Sequence, residues 1–293
     1  MVEWEVTEFD YNLFWRRKMK KIVALLLTFV CAFSMVACGA KTEEAPVAAV
    51  EETVEADAET EATADAETAA TAETEDVKSE GVMTYEEYVA AELDTEVVVE
   101  TYVQAKQSWW EDKATVYTQD KDGAYFLYEM ACSEEDYAKL VPGTKIKVTG
   151  YKAEWAGEVE IVDATFEILE GNYVAEAEDM TALLASEELV NYQNQFVAFK
   201  GMTVEASKDA DGNDVAFLYN WDGSGEDGND LYFNVSLDGQ TYSFVVESYL
   251  CDKTTDVYAA VKDLQIGDVV DMEGFLYWYE GANPHITSLT VVK

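Results

Sequence analysis

Arginine, histidine and proline are scarce in this sequence. The chain has 293 residues, with 60 acidic and 19 basic side chains, a formal net charge of -41, one histidine and three prolines. Its only two arginines, Arg16 and Arg17, stand close to the N-terminus. Proteins bind phosphate backbones through lysine and arginine, with release of counterions. We therefore expect no nucleic-acid partner. The apolar fraction of 49% is nevertheless enough for a hydrophobic core.

The scarcity of histidine also limits catalysis and metal binding. His285 stands at the start of the last predicted strand, where we expect a surface or edge residue and not a general base. Zinc sites of the His-rich kind need more than one histidine, so we expect no such metal site. No pair stands out among the many carboxylates. We therefore expect no catalytic residues and no enzyme, with a carboxylate-dependent glycoside hydrolase as the weaker alternative.

The N-terminal segment has the layout of a secretory signal. Residues 19–38 read MKKIVALLLTFVCAFSMVAC, in which two lysines precede an apolar run that is short for a membrane span. The sequence Met-Val-Ala-Cys at 35–38, followed by Gly39, resembles the lipobox of bacterial lipoproteins. The resemblance implies that Cys38 carries lipid and becomes the mature N-terminus. An uncleaved membrane anchor is the alternative.

Both interpretations place the rest of the chain outside the cytoplasm. We expect a lipid anchor on the outer face of a bacterial membrane, as on a Gram-positive cell surface. Residues 1–37 are then an N-terminal extension plus signal peptide, and translation is predicted to start at Met19. Residues 38–81 are rich in Ala, Glu, Thr and Asp and lack any aromatic residue. Such a composition has little to bury, so it predicts a disordered acidic tether.

The rest of the chain contains an internal duplication. Each copy has an Asp-Gly pair between alternating apolar runs, at Asp122-Gly123 and at Asp238-Gly239, which is a strong hairpin signal. A short helical segment follows each hairpin. Three glycines then recur at the same spacing in both copies, namely Gly143, Gly150 and Gly157 in the first and Gly267, Gly274 and Gly281 in the second.

The predicted order in each copy is three strands, a helix and two strands. This order is that of the OB-fold barrel, and it resembles the OB-fold-like modules of small bacterial surface lipoproteins. The resemblance implies an all-β protein with short helices and two tandem five-stranded barrels, at residues 82–171 and 172–293. A different small β-barrel or a sandwich is the alternative.

Aromatic residues mark the predicted ligand-facing loops. OB-folds contact ligands through the face of strands 2 and 3 and through the loops 1-2 and 4-5. Aromatic rings at loop tips suit stacking on sugars or partner side chains. The candidates at these loops are Trp109, Trp110, Trp155, Trp221, Tyr277, Trp278 and Tyr279. Alternatively, these rings only close the open ends of the barrels.

These residues predict a non-enzymatic, membrane-anchored binding module. Its expected ligand is a saccharide or a peptide stacked on the tryptophan-bearing loops. The rival interpretation is a structural or assembly lipoprotein of the cell envelope that binds a protein partner.

One loop of the second copy has the start of a calcium-binding pattern. Asp209, Asp211, Asn213 and Asp214 alternate in the manner of an EF-hand loop. Asp214 stands where that pattern needs glycine, however, and no glutamate occupies its twelfth position. Tight Asp/Asn/Gly turns are the preferred interpretation. Calcium is the one cofactor that we keep as an alternative.

Two cysteines occupy matching positions in the two copies. Cys132 and Cys251 both follow a third strand, and a bridge would require their Cα atoms to lie within about 7 Å. We predict two buried free thiols.

Overall fold

The computed structural model describes residues 78–292. The predicted signal peptide, the lipidated Cys38 and the tether as far as residue 77 lie outside the described residues. Within 78–292, none of the helices has the length and apolar character that crossing a bilayer requires.

The first copy is a closed five-stranded barrel in which the strands, numbered along the chain, lie in the order 1-2-3-5-4. Helix α1 (Tyr85–Ala90) precedes it, and helix α2 (Glu134–Lys139) connects its third and fourth strands. Thr84 and Ser133 cap these helices by accepting hydrogen bonds from backbone N–H groups of the first turn. The strands are β1 (Glu96–Lys106), β2 (Lys113–Gln119), β3 (Ala124–Ala131), β4 (Thr144–Trp155) and β5 (Glu158–Asn172).

The second copy forms the same kind of barrel and adds short strands and 3₁₀ helices to it. Its first barrel strand pairs with both its second and its fourth and so closes the sheet. Helix α3 (Asp256–Lys262) lies between its third and fourth barrel strands. The barrel strands are β7 (Phe196–Glu205), β11 (Leu231–Leu237), β12 (Gln240–Val246), β13 (Val269–Phe275) and β14 (His285–Val291). The prediction of two tandem OB-like barrels is therefore confirmed.

The additions lie before the second barrel and in its first connection. Ahead of the second barrel the chain forms two 3₁₀ helices, Thr181–Leu183 and Glu187–Tyr192. The short strands are β6 (Glu178–Asp179), β8 (Ser207–Lys208), β9 (Asp214–Val215) and β10 (Leu218–Tyr219).

Each barrel has its own apolar core, filled from inward-facing strand positions. The first contains Val97, Val99, Val116, Leu127, Ile146, Val148 and Ile161. The second contains Val197, Phe199, Phe233, Phe244, Val270 and Ile286. Two distinct cores mean that each barrel buries apolar surface by itself.

A third, smaller cluster joins the two barrels. Tyr117 and Phe126 on β2 and β3 pack against Phe275 of β13. The rings of Tyr117 and Phe275 stack with their centroids 4.5 Å apart. The outer face of β2 and β3, where the sequence predicts ligand contacts, is therefore partly covered by the second barrel.

His285 belongs to this interface, which corrects the expectation of a surface or edge residue. It is only 7% exposed, and its Nδ1 atom lies 2.6 Å from the hydroxyl oxygen of Tyr117. The ring of Tyr277 stacks on it with a centroid distance of 4.3 Å. Burial lowers the pKa of His285 to about 3, so the imidazole is neutral at physiological pH.

Polar contacts along the same interface fix the orientation of the barrels. The backbone N–H of Phe196 donates to the side-chain oxygen of Gln119 over 2.7 Å. The N–H of Trp278 donates to Glu158 over 2.8 Å. These bonds make the two barrels one packed body.

Gly274 is required by the close approach of β13 and β14. A Cβ atom at this position would collide with the backbone of His285 and Ile286, which cannot move without breaking the strand pairing. We expect Gly274→Ala to lower the free energy of unfolding by about 3 kcal/mol. Chemical denaturation followed by circular dichroism measures this loss.

The control is Gly239→Asn in the two-residue turn between β11 and β12. Asp238 and Gly239 have φ values of 51° and 82°, and Asn tolerates such a turn. If Gly274→Ala lowered the free energy of unfolding no more than Gly239→Asn does, a collision of the added Cβ atom with the backbone of β14 would be contradicted.

Candidate ligand site

The connection between β1 and β2 places two consecutive tryptophans in different environments. Trp110 exchanges both backbone hydrogen bonds with Lys113, and Glu111 and Asp112 between them have positive φ values. This tight turn leaves the Trp110 side chain 69% exposed. Trp109 instead is half-buried, and its indole N–H donates to the carbonyl oxygen of Cys132 over 2.9 Å. One indole is fixed, and the other is free to contact a ligand.

The second barrel contributes a ring to the same place. The N–H of Ser108 donates to the carbonyl oxygen of Tyr249 over 2.7 Å, which ties this loop to the segment after β12. The Tyr249 side chain is 66% exposed. Glu247 holds the Tyr249 segment by accepting hydrogen bonds from the N–H groups of Tyr249 and Leu250.

A bulge in β3 supplies the third exposed ring. The pairing of β2 and β3 shifts register between Ala114 and Val116, and Glu129 opposite has a φ of 48°. As a result, the consecutive residues Tyr128 and Glu129 are both exposed. The sequence analysis missed Tyr128 because regular alternation gives no sign of this bulge.

Together these residues form a groove of about 420 Å³, here called the aromatic groove. An ion pair between Lys113 Nζ and Glu129 Oε2, 2.6 Å apart, lies at its wall. Planar rings beside charged and amide groups can stack on a flat apolar surface while hydrogen bonding its polar edge. Its lining is Gln107, Ser108, Trp109, Trp110, Lys113, Thr115, Tyr128, Glu129 and Tyr249.

The predicted residues of the 4-5 loops form a second aromatic group. The rings of Trp155 and Tyr279 lie 5.1 Å apart, and both are nearly half exposed. The N–H of Glu280 donates to the carbonyl oxygen of Ala156 over 2.8 Å, so the two 4-5 loops contact each other. Trp278 is half-buried against the second core. The structure thus brings Trp155 and Tyr279 together here with Trp278 beside Gly157, whereas the Tyr277 ring packs on Phe126 and His285 between the barrels.

Trp221 is placed separately from both groups. It follows β10, is 75% exposed, and does not line the aromatic groove. Its role in binding stays a prediction.

The calcium candidates are engaged in turn formation. The Asp209 carboxylate accepts hydrogen bonds from the N–H groups of Asp211 and Asn213, and Asp214 forms an ion pair with Lys208. Within residues 78–292, no three His, Cys, Asp or Glu side chains are grouped as a metal site. Calcium binding by this loop therefore stays an untested alternative.

A larger groove of about 900 Å³ lies beside α1. Lys152 lines it, but its ammonium group donates to the carbonyl oxygens of Tyr88, Val89 and Ala91 at 3.0, 2.8 and 2.9 Å. All three donors of this cation are thus used at the C-terminal end of the helix. The contact orders α1 and leaves no free positive charge at Lys152 for a ligand.

Cys132 and Cys251 are both buried free thiols, as predicted. Burial raises the pKa of each to about 11.

Two buried carboxyl groups, Glu158 and Glu160, and the half-buried Glu247 lie where the barrels meet. Burial raises the pKa of Glu158 to about 8 and those of Glu160 and Glu247 to about 7. Glu158 is fully buried, and one of its oxygens has no hydrogen-bond partner among the described residues. A buried carboxyl without a cation favours its protonated form.

No protein-family model and no curated protein matches this chain. Solved structures are similar at low identity. The tetrameric p202 HIN2 structure is 11% identical and aligns 69% of this chain with 96% of its own, with a TM-score of 0.30. A murine DNA-binding protein bound to double-stranded DNA is 10% identical over 67% of this chain and 95% of its own, with a TM-score of 0.31.

A replication protein A heterotrimer bound to single-stranded DNA gives 11% identity over 74% of this chain and 70% of its own, with a TM-score of 0.24. Two of these structures hold DNA, so the expectation of no nucleic-acid partner is withdrawn. Counterion release depends on the cations at the contact surface, which the net charge of a whole chain does not describe. Nucleic acid is therefore included among the ligands to be measured.

Protonation of Glu158 makes stability depend on pH. With a pKa near 8 in the folded state and 4.5 as its ordinary value, this carboxyl contributes stability fully below about pH 4.5. The contribution is lost as pH rises through 8. Glu158→Gln keeps an acceptor for the N–H of Trp278 and removes the titration. Each unit of difference in pKa corresponds to about 1.4 kcal/mol. We therefore expect the free energy of unfolding of Glu158→Gln, relative to that of the wild type, to be higher at pH 8 than at pH 5 by about 2 kcal/mol or more.

Urea unfolding at both pH values measures the difference between variant and wild type. This comparison cancels the opposite contribution of His285, whose lowered pKa costs stability as pH falls below about 6.5. The matched control is Glu154→Gln on the exposed end of β4, which should show no gain. Equal pH dependence in Glu158→Gln and the wild type would contradict the assignment.

Proposed function

We propose that this chain is a non-enzymatic binding module whose ligand is a saccharide stacked in the aromatic groove. The observation that carries the proposal is the meeting of rings from both barrels at one groove. Trp110 of the first barrel and Tyr249 of the second are each about two-thirds exposed there. Large exposed rings grouped in a concave site are typical of a binding surface.

The groups around these rings suit a sugar. The C–H face of a sugar ring stacks on an aromatic plane, and its hydroxyl groups both donate and accept hydrogen bonds. The Lys113–Glu129 pair and the hydroxyls of Ser108 and Thr115 offer both donors and acceptors at the wall of the groove. Trp109, held by Cys132, keeps the wall in place without a cost in side-chain entropy on binding.

We expect Trp110→Ala and Tyr249→Ala each to weaken saccharide binding about tenfold, which corresponds to about 1.4 kcal/mol per stacking ring. A glycan array identifies the retained saccharide, and isothermal titration calorimetry then measures its dissociation constant. Trp221→Ala is the matched control, because Trp221 is equally exposed and does not line the groove. The control should bind like the wild type.

Retention of single-stranded oligonucleotides or peptides, with no glycan retained, would contradict the saccharide assignment. Binding that survives both groove variants would contradict the groove itself. A loss in Trp221→Ala as well would extend the site to the first connection of the second barrel.

We further propose that the module is tethered through lipid on Cys38, outside the cytoplasm of a bacterium of Gram-positive type. The support is the lipobox-like sequence at residues 35–38 and the acidic segment after it. Some forty residues separate Cys38 from Lys78, and a fully extended segment of that length reaches about 140 Å. The barrels would then stand clear of the bilayer.

Cys38→Ser is expected to move the protein from the detergent phase to the aqueous phase in a detergent-partition experiment on expressing cells. The reason is the loss of the acyl chains that hold a lipoprotein in the membrane. The control is Cys31→Ser, a change inside the predicted signal peptide. Labelling with radioactive fatty acid separates the two interpretations, because detergent-phase partition of the wild type without incorporation of label would contradict the lipid anchor and indicate an uncleaved span.

A further inference from the structure

The aromatic rings of the groove continue along the boundary between the two barrels. Tyr128, which lines the groove, lies 6.4 Å from Phe126 between ring centroids. Phe126 in turn lies 5.4 Å from Tyr277 of the second barrel. Tyr277 begins the loop that carries Tyr279, whose ring lies 5.1 Å from Trp155. Neighbouring rings thus lead from the groove to Tyr277, and the backbone of its loop continues from there to the contact between the two 4-5 loops.

Exposure along this path is concentrated at its two ends. Trp110 and Tyr249 are exposed at one end, and Trp155 and Tyr279 at the other. Phe126 is buried between them, and Tyr277 is half-buried. We call the four exposed end residues, together with Tyr128 and Tyr277, the aromatic seam.

The seam is held rigid by contacts between the barrels. At the groove end, Ser108 donates to Tyr249. At the other end, Trp278 donates to Glu158, and Glu280 donates to Ala156. Because these bonds fix the two ends relative to each other, a ligand that contacts both ends finds them already placed.

Carboxyl groups accompany the rings. Glu129 lies at the groove, and Glu160 pairs with Phe126 across β3 and β5. Burial and the neighbouring Glu129 raise the pKa of Glu160. Burial and the charges of both glutamates likewise raise the pKa of Tyr128. The exposed Glu129 carboxylate can accept hydrogen bonds from ligand hydroxyl groups, whereas Glu160 is buried. This combination matches a chain of linked sugars, each with a flat face and hydroxyl edges.

We propose that the aromatic seam binds an extended neutral polysaccharide that contacts both ends at once. The inference rests on the proposed saccharide function and adds the length of the ligand. When two contact points are linked in one ligand, the second contact forms within the complex and raises the overall affinity without new chemistry. A sugar too short to reach from Trp110 to Trp155 would lack this gain.

The test uses the disaccharides and hexasaccharides of three neutral polymers: β-1,4-glucan, β-1,4-linked N-acetylglucosamine and β-1,3-glucan. We expect at least one hexasaccharide to bind ten times more tightly than its disaccharide in calorimetry. Trp155→Ala should remove most of that tenfold gain and leave disaccharide binding unchanged. Trp110→Ala should weaken both, and Trp221→Ala neither. Thermal unfolding of each variant confirms that the barrels remain folded.

Equal affinity for disaccharide and hexasaccharide, unchanged by Trp155→Ala, would overturn the extended seam and leave the groove as a saccharide site. Failure of all six saccharides to bind, together with binding of a twenty-residue thymidine oligonucleotide or a decapeptide that depends on Trp110 and Trp155, would overturn the saccharide class. The two failures are thereby distinguishable.

Discussion

The packing of Phe275 and His285 against Tyr117 is the contact on which the arrangement of the molecule depends. Each barrel has a core of its own, yet the outer face of β2 and β3 in the first barrel carries two large rings, Tyr117 and Phe126, that would be exposed to water without the second barrel. Phe275 of the second barrel packs on these rings, and the uncharged imidazole of His285 hydrogen bonds with the hydroxyl group of Tyr117. Docking therefore satisfies apolar and polar groups of the first barrel at the same time.

Docking also determines where a ligand can bind. In a lone OB-fold the face of strands 2 and 3 is open to ligands, but here it is used for the contact between barrels. Four exposed rings, Trp110, Tyr249, Trp155 and Tyr279, lie at the edges of that contact, in the loops that both barrels extend beyond it. The candidate site is thus composite, because Tyr249 and Tyr279 come from one barrel and Trp110 and Trp155 from the other.

Features set by neighbouring residues were predictable from the sequence. The hairpin at Asp238-Gly239 follows from steric limits within the turn, and both barrels were predicted from the order of their strands and helices. Gly274 was predicted as part of a repeated glycine spacing, but the backbone that it approaches belongs to the next strand. The burial of His285 and the approach of Tyr249 to Ser108 join residues more than a hundred positions apart, and no local pattern specifies them. Trp109 and Trp110 were found as a pair, but only the hydrogen bond to Cys132 distinguishes the fixed ring from the exposed one.

The two unpaired thiols have a consequence for how the barrels respond to oxidants. Cys132 and Cys251 each lie in the core cluster of one barrel, and both are held almost entirely as the unreactive protonated form. Opening of a barrel exposes its sulfur to alkylating and oxidising agents. Each barrel therefore contains its own chemical reporter of opening, and the rates of modification at the two sulfurs would show which barrel opens first.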